Sequence, residues 1–173
     1  MTPSRVRITG RWRRITRPGS SALFWSRDAF DARWQRGAVV RGLYLACCID
    51  TAWAEWLRAT AEDGVPPTAR LPRDVWSLDV DLMGVADLAA PGALTRVGLP
   101  RLRPTQRQWT ACQEVGEALW QDGAAGLLAP LAAHEGHRVL CVFRPTPDVP
   151  GVVEIAPPAT FHAIPMIPVG LRT

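Results

Sequence analysis

The chain has 173 residues with 20 basic and 16 acidic side chains, and all 20 basic residues are arginine, because the sequence contains neither lysine nor asparagine. Chemistry that needs an amine is excluded by composition: a phosphate-loop lysine, a Schiff base and an Asn-linked glycan all lack their atoms. The charge is also uneven, since residues 1–41 hold ten arginines against Asp28 and Asp31 alone, whereas residues 42–173 hold ten against fourteen acids.

In chain order, residues 11–16 predict a short polar edge strand, ended by the turn residues Arg17-Pro18-Gly19-Ser20-Ser21. An arginine- and aromatic-bearing loop follows from Phe24 to Arg41. The run Gly42-Leu43-Tyr44-Leu45-Ala46-Cys47-Cys48 has the length and composition of a buried strand. Asp50 stands at an N-cap position ahead of a helix over residues 51–60, on which Trp53, Trp56, Leu57 and Thr60 share one face and predict core packing. Glu55 lies on the opposite, small-residue flank with Ala52 and Ala59, where a ligand has room to reach the carboxylate.

Residues 64–72 are broken by three prolines, and Val75–Leu82 alternates as a half-buried strand. Thr105 caps a second helix, with Gln108 completing a capping box, that runs to about Asp122 and stops at Gly123, with Trp109, Cys112, Gly116, Leu119 and Trp120 inward. Residues 126–129, 138–143 and 152–155 predict three short strands. Four prolines in Pro157–Pro168 predict irregular structure. The expectation is a single α+β domain over 1–173, with small mixed or antiparallel sheets and flanking helices.

Familiar chemical signatures are missing: there is no G-x-G-x-x-G, H-E-x-x-H or G-x-S-x-G. Cys47, Cys48, Cys112 and Cys141 show no C-x-x-C spacing, and His134, His137 and His162 have no ligand-spaced partner, so free thiols and no metal site are expected. No apolar run reaches the roughly 20 residues that span a bilayer, and the amino terminus lacks a secretory apolar stretch; a cytoplasmic location is expected.

What remains is an arrangement of Arg33-Trp34, Tyr44 on an apolar strand, and Glu55 on the following helix. Each residue type has a use in nucleotide chemistry. A guanidinium fork grips a pyrophosphate, a tyrosine ring faces a pyridine or purine, and a fixed carboxylate offsets positive charge on a ribose. A core tyrosine with surface charges is the plainer alternative. The basic first quarter with Trp12, Trp25 and Trp34 also suits a nucleic-acid-binding module.

Arg33-Trp34, then Arg41-Gly42-Leu43-Tyr44-Leu45-Ala46, then Thr51-Ala52-Trp53-Ala54-Glu55, resembles the RES domain family. The carboxy-terminal half is similar as well, through Trp109-Thr110-Ala111-Cys112-Gln113-Glu114-Val115-Gly116, Gly126-Leu127-Leu128-Ala129-Pro130 and the strand 139–143. The resemblance covers residues 11–145 and leaves 146–173 as a proline-rich extension. It implies an ADP-ribosyltransferase-like fold and the toxin of a bacterial type II toxin–antitoxin pair, one that destroys NAD at the nicotinamide–ribose bond by hydrolysis or phosphorolysis.

By position, the resemblance makes Glu55 the catalytic carboxylate, Arg14 and Arg33 the arginines facing NAD, Tyr44 the aromatic beside nicotinamide, and Gln113 a further binding residue. NAD is then a substrate, no cofactor or metal is required, and the implied partner is an Xre-type helix-turn-helix antitoxin that covers the active site and alone touches DNA. Two positions depart from the family pattern: Leu131 stands where a serine is expected, and Ile15 where a tyrosine follows the first arginine. An ADP-ribosyltransferase, or an altered relative acting through partner binding, is the alternative within the family.

Overall fold

The computed structural model describes residues 3–166 and 168–172, which form strands β1 (Arg5–Thr16) and β2 (Arg41–Ala46), helix α1 (Ile49–Glu62), strand β3 (Arg73–Asp87), the single-turn helix α2 (Ala93–Arg96), helix α3 (Trp109–Gln121), and strands β4 (Gly126–Pro130), β5 (Arg138–Arg144), β6 (Val152–Glu154) and β7 (Ala159–Phe161). All seven strands belong to one sheet. Its order is β1-β2-β5-β4-β3, and β3 pairs back to β1, so five strands close into a ring. The closing seam between β1 and β2 rests on one pairing, Arg13 opposite Ala46. Only β3 and β4 run parallel, and the chain between them carries α3, as a parallel crossover requires.

Period-two alternation sends the two faces of this ring into two cores. Leu43 and Leu45 of β2, Leu78 and Val80 of β3, and Leu140 and Val142 of β5 point inward with Trp12. Outward, Cys141 and Phe143 of β5 and Leu127 and Ala129 of β4 pack against Cys112 and Leu119 of α3 and against Trp34. Gly116 lets α3 approach that loop: a Cβ there would lie 1.8 Å from the Trp34 carbonyl oxygen.

The fold is the expected mixed α/β domain, in one closed sheet rather than several small ones. Strands β1 and β3 are longer than their patterns suggest, 12 and 15 residues, because each pairs along the other almost throughout. Helix α1 begins at Ile49 with Cys48, not Asp50, at the N-cap. The Thr105 hydroxyl does cap a 3-10 turn by accepting from the Arg107 N–H, but Gln108 completes no box, its amide bonding Arg103 and Arg101 instead. The proline-rich tail is not irregular throughout. Residues 159–161 contain no proline, keep their N–H donors, and pair with Arg73–Val75; Phe161 then meets Trp53 of α1 edge to face at 5.5 Å.

Candidate active site

A cleft of about 440 Å³ opens between the outward face of β1 and β2, helix α1 and the loop before β2, within the roughly 300–1,000 Å³ typical of small-molecule sites. Leu43 and Leu45 point into the ring, so Tyr44 and Ala46 must point out, and both line the cleft. From α1 the cleft receives Ala52, Glu55 and Ala59, the small-residue flank, together with Arg58. Glu55 is held from behind. Arg58 lies 3.3 Å from its carboxylate and 2.6 Å from that of Glu62. Burial pulls the Arg58 guanidinium pKa down, but Glu55 and Glu62 outweigh it and the net shift is upward. Glu55 therefore faces the cleft beside a fixed cation on its own helix.

The loop carrying Arg33 is clamped on three sides. The Tyr44 hydroxyl accepts from the Trp34 N–H at 3.0 Å and donates to Gln35 Oε1 at 2.6 Å. Gln113 of α3 donates its amide to the Ala32 carbonyl at 2.9 Å, and Arg36 forms a two-point ion pair with Glu117 of α3. Gly42 leaves room for this clamp, since a Cβ there would sit 2.8 Å from Gln35 Oε1 and 2.9 Å from the Tyr44 ring. Burial, chiefly, raises the Tyr44 phenol well above its ordinary value. The hydroxyl is thus neutral and fully engaged.

Arg33 itself, only 8% exposed, has two buried terminal guanidinium nitrogens that meet no oxygen or nitrogen acceptor among the described residues; the Cys112 thiol of α3 lies beside it. A buried cation without a partner is costly, and in folded proteins such groups are rare unless a ligand completes them. It shares the cleft with Glu55.

Four of the five residues singled out from sequence, Arg14, Arg33, Tyr44 and Glu55, border the cleft; Gln113 does not. Gln113 acts one step back, holding the Ala32 carbonyl. Arg14 touches the wall, but its guanidinium donates to the Ala22 carbonyl and is buried near Arg144 and Glu154; burial first, then Arg144, lowers it to about 10. The cause is strand parity. Arg13, paired with Ala46, shares the cleft face with Tyr44 and Ala46, so its neighbour Arg14 is turned to the other side.

Arg13 is therefore the arginine that β1 presents, and it has no carboxylate partner among the described residues. Residue reading also missed Trp56 and Trp109, which helical periodicity assigned to the core but which are half-buried on the cleft wall, and Phe30, 57% exposed at its rim. Ile15 and Leu131, the two departures from the family pattern, both line the cleft and make that part of its wall apolar.

The fold also brings a histidine to two cysteines that sequence spacing keeps apart. Strand β2 pairs with β5 through Ala46 opposite Val139, so the residues just beyond each strand converge, and the Cys47 N–H donates to the Arg138 carbonyl. Cys47, Cys48 and His137 bring their ligand atoms within 4.8 Å of one another.

Comparison with known proteins gives a consistent result. The RES domain family profile matches residues 7–163. NAD(+) phosphorylase MbcT of Mycobacterium tuberculosis, and likewise that of Mycobacterium bovis, is 32% identical over 113 residues, covering 62% of this chain. The match spans 59% of the length of those relatives. The crystal structure of the M. tuberculosis MbcT-MbcA toxin-antitoxin complex contains a chain that superposes with a TM-score of 0.73 at 26% identity, covering 88% of this chain and 87% of that one.

Proposed function

The chain belongs to the RES domain family, and from that premise we propose that it is the toxin of a toxin–antitoxin pair and degrades NAD by breaking the bond between nicotinamide and ribose. The observation that carries the reading is the buried guanidinium of Arg33, whose two terminal nitrogens meet no carboxylate among the described residues, in the same cleft as Glu55. A pyrophosphate supplies the acceptors that Arg33 lacks, in the two-point geometry a guanidinium fork favours. Arg13 adds a second cation on the facing strand.

The chemistry follows from charge. Nicotinamide leaves as a neutral ring, taking the electron pair of the C1′–N bond and leaving positive charge on the ribose. Glu55, backed by Arg58, offsets that charge where it develops, which is the interaction that lowers a barrier most effectively. The Tyr44 ring and the apolar surface of Ile15 and Leu131 pack the nicotinamide end; the Tyr44 hydroxyl, tied to Trp34 and Gln35, keeps Arg33 in place and takes no proton. The oxygen that closes on C1′ belongs to inorganic phosphate, which then sheds a proton to give ADP-ribose 1″-phosphate. The likeness to the NAD(+) phosphorylase MbcT supports phosphate over water. No cofactor enters this scheme.

The proposed partner is an antitoxin, supported by the MbcT-MbcA complex and by the exposed Phe30 at the cleft rim, where an inserted segment of helix-turn-helix protein would cover the site. Among the described residues no helix is long and apolar enough to cross a membrane, and the proposed site of action is the cytoplasm, where NAD is found. Direct nucleic-acid binding is disfavoured, because Arg5, Arg7 and Arg11 are matched by Asp122, Asp81 and Asp79.

The test is to incubate the purified protein with NAD, with and without phosphate, and to separate the products. Free nicotinamide with phosphate-dependent ADP-ribose 1″-phosphate is expected. Absence of nicotinamide under both conditions overturns the proposal and favours an altered relative that works through partner binding.

A further inference from the structure

We propose that Cys47, Cys48 and His137 form a binding site for a thiophilic divalent cation, Zn²⁺ foremost, at the junction of β2, α1 and the turn before β5. The three ligand atoms come from two stretches of chain distant in sequence and lie within 4.8 Å of one another. Cys48 Sγ stands 3.5 Å from His137 Nδ1. Zinc–sulfur and zinc–nitrogen bonds of about 2.3 and 2.0–2.1 Å meeting at a tetrahedral angle place those two atoms about 3.5 Å apart, so this edge of the site already has its liganded length.

Thr51 Oγ1 is the fourth corner. It lies 3.3 Å from Cys47 Sγ, 3.1 Å from Cys48 Sγ and 2.6 Å from His137 Nδ1. Thr51 Oγ1 thus sits against all three ligand atoms, and a cation entering between them would take the two sulfurs and the imidazole as ligands, with Thr51 moving outward or a water in the fourth position. Two soft sulfurs and an imidazole select zinc over magnesium or calcium.

Charge and protons balance without a co-reactant. Zn²⁺ displaces one proton from each thiol, and two thiolates with a neutral imidazole give an uncharged centre. The histidine rings meet edge to face with centroids 4.0 Å apart, which orients His137 toward the sulfurs. An occupied site would tie the start of α1, the helix of Glu55, to the turn that carries Leu131 and Ala132, bracing two walls of the cleft; Leu131 already donates its N–H to the His137 carbonyl at 2.8 Å.

The experiment titrates the full chain, purified under reducing conditions, with Co²⁺ and then Zn²⁺. A thiolate-to-cobalt charge-transfer band that saturates at one equivalent and is bleached by Zn²⁺ is expected. The band should vanish in the Cys47→Ser/Cys48→Ser variant, and affinity should fall at least tenfold in His137→Ala. Should the double variant fail to fold, Zn²⁺ must still raise the Tm of the wild type by clearly more than that of His137→Ala at the same concentration. No band in the wild type, a band that survives loss of both thiols, or an equal Zn²⁺ shift in His137→Ala overturns the assignment.

Discussion

The two ends of β1 use their arginines differently. Toward the amino terminus, Arg5 and Arg7 each sit 2.7 Å from a carboxylate, of Asp122 and Asp81, and Arg11 approaches Asp79 at 4.0 Å. At the cleft end Arg13 meets no acid among the described residues, and across the cleft Arg33 is buried without one there. Exposed, matched pairs contribute little to stability, so the first group mainly neutralises surface charge. In the second group Arg33 keeps buried donors without an oxygen acceptor and Arg13 is partly open to solvent, so both are placed to take an anionic ligand. The surplus of positive charge in the first 41 residues thus divides into a structural part and a ligand-directed part.

The sharpest test of this division is the one carboxylate on the ligand-directed side. Glu55→Gln should slow nicotinamide release from NAD roughly 100- to 1,000-fold, the usual loss when a group aimed at developing charge is neutralised, with the circular dichroism spectrum unchanged. Next, Arg33→Lys should cost about 10- to 100-fold in kcat/KM, because an ammonium keeps the charge but not the fork. Full activity in that variant would reduce Arg33 to a generic cation.

The neighbouring pair Arg13 and Arg14 separates the two sides of the strand. Arg13→Ala should raise KM for NAD about tenfold, near the 1.4 kcal/mol of one charge-assisted contact, and leave Tm in place. Arg14→Ala should do the reverse, lowering stability by about 1–3 kcal/mol as the Ala22 carbonyl loses its donor. Equal KM effects would mean that strand parity does not decide which arginine meets substrate.

Gly116→Ala tests the clamp without touching the cleft: the added methyl meets the Trp34 carbonyl, so about 1–3 kcal/mol of stability and part of the activity should go together. The smallest effect is expected from acid. Arg36 holds the Glu117 carboxyl below its ordinary range, so its stabilisation is complete above the unfolded glutamate value of about 4.3 and is lost as pH falls through the lower folded value. The Tm gap between wild type and Glu117→Gln should therefore be present at neutral pH and close below about pH 4.

Much of the cleft was legible because it depends on local periodicity. Helical spacing alone set Glu55 between Ala52 and Ala59, and the alternation of Leu43, Tyr44 and Leu45 set the tyrosine against the two leucines. Strand β1 was harder. Trp12 and Ile15 have opposite parity, so no single apolar face declares itself; the resemblance pointed to Arg14, and Arg13 emerged only from the pairing with Ala46.

Trp56 and Trp109 were misplaced for a related reason, since an aromatic beside a ligand cleft keeps the same spacing as one in the core. Ring closure, β7 and the meeting of Cys47 and Cys48 with His137 all depend on register between distant segments, which composition and spacing do not encode. Gln113 was found as a residue of consequence, but its partner, the Ala32 carbonyl, lies 81 positions away in sequence.

Arg33 holds its terminal nitrogens ready for the substrate. Calorimetric titration of NAD, in phosphate-free buffer, into the slowed variant Glu55→Gln and into the Glu55→Gln/Arg33→Ala double variant tests this directly. Saturable binding to the first and at least tenfold weaker binding to the second are expected. Equal affinity of the two would mean that Arg33 does not hold NAD.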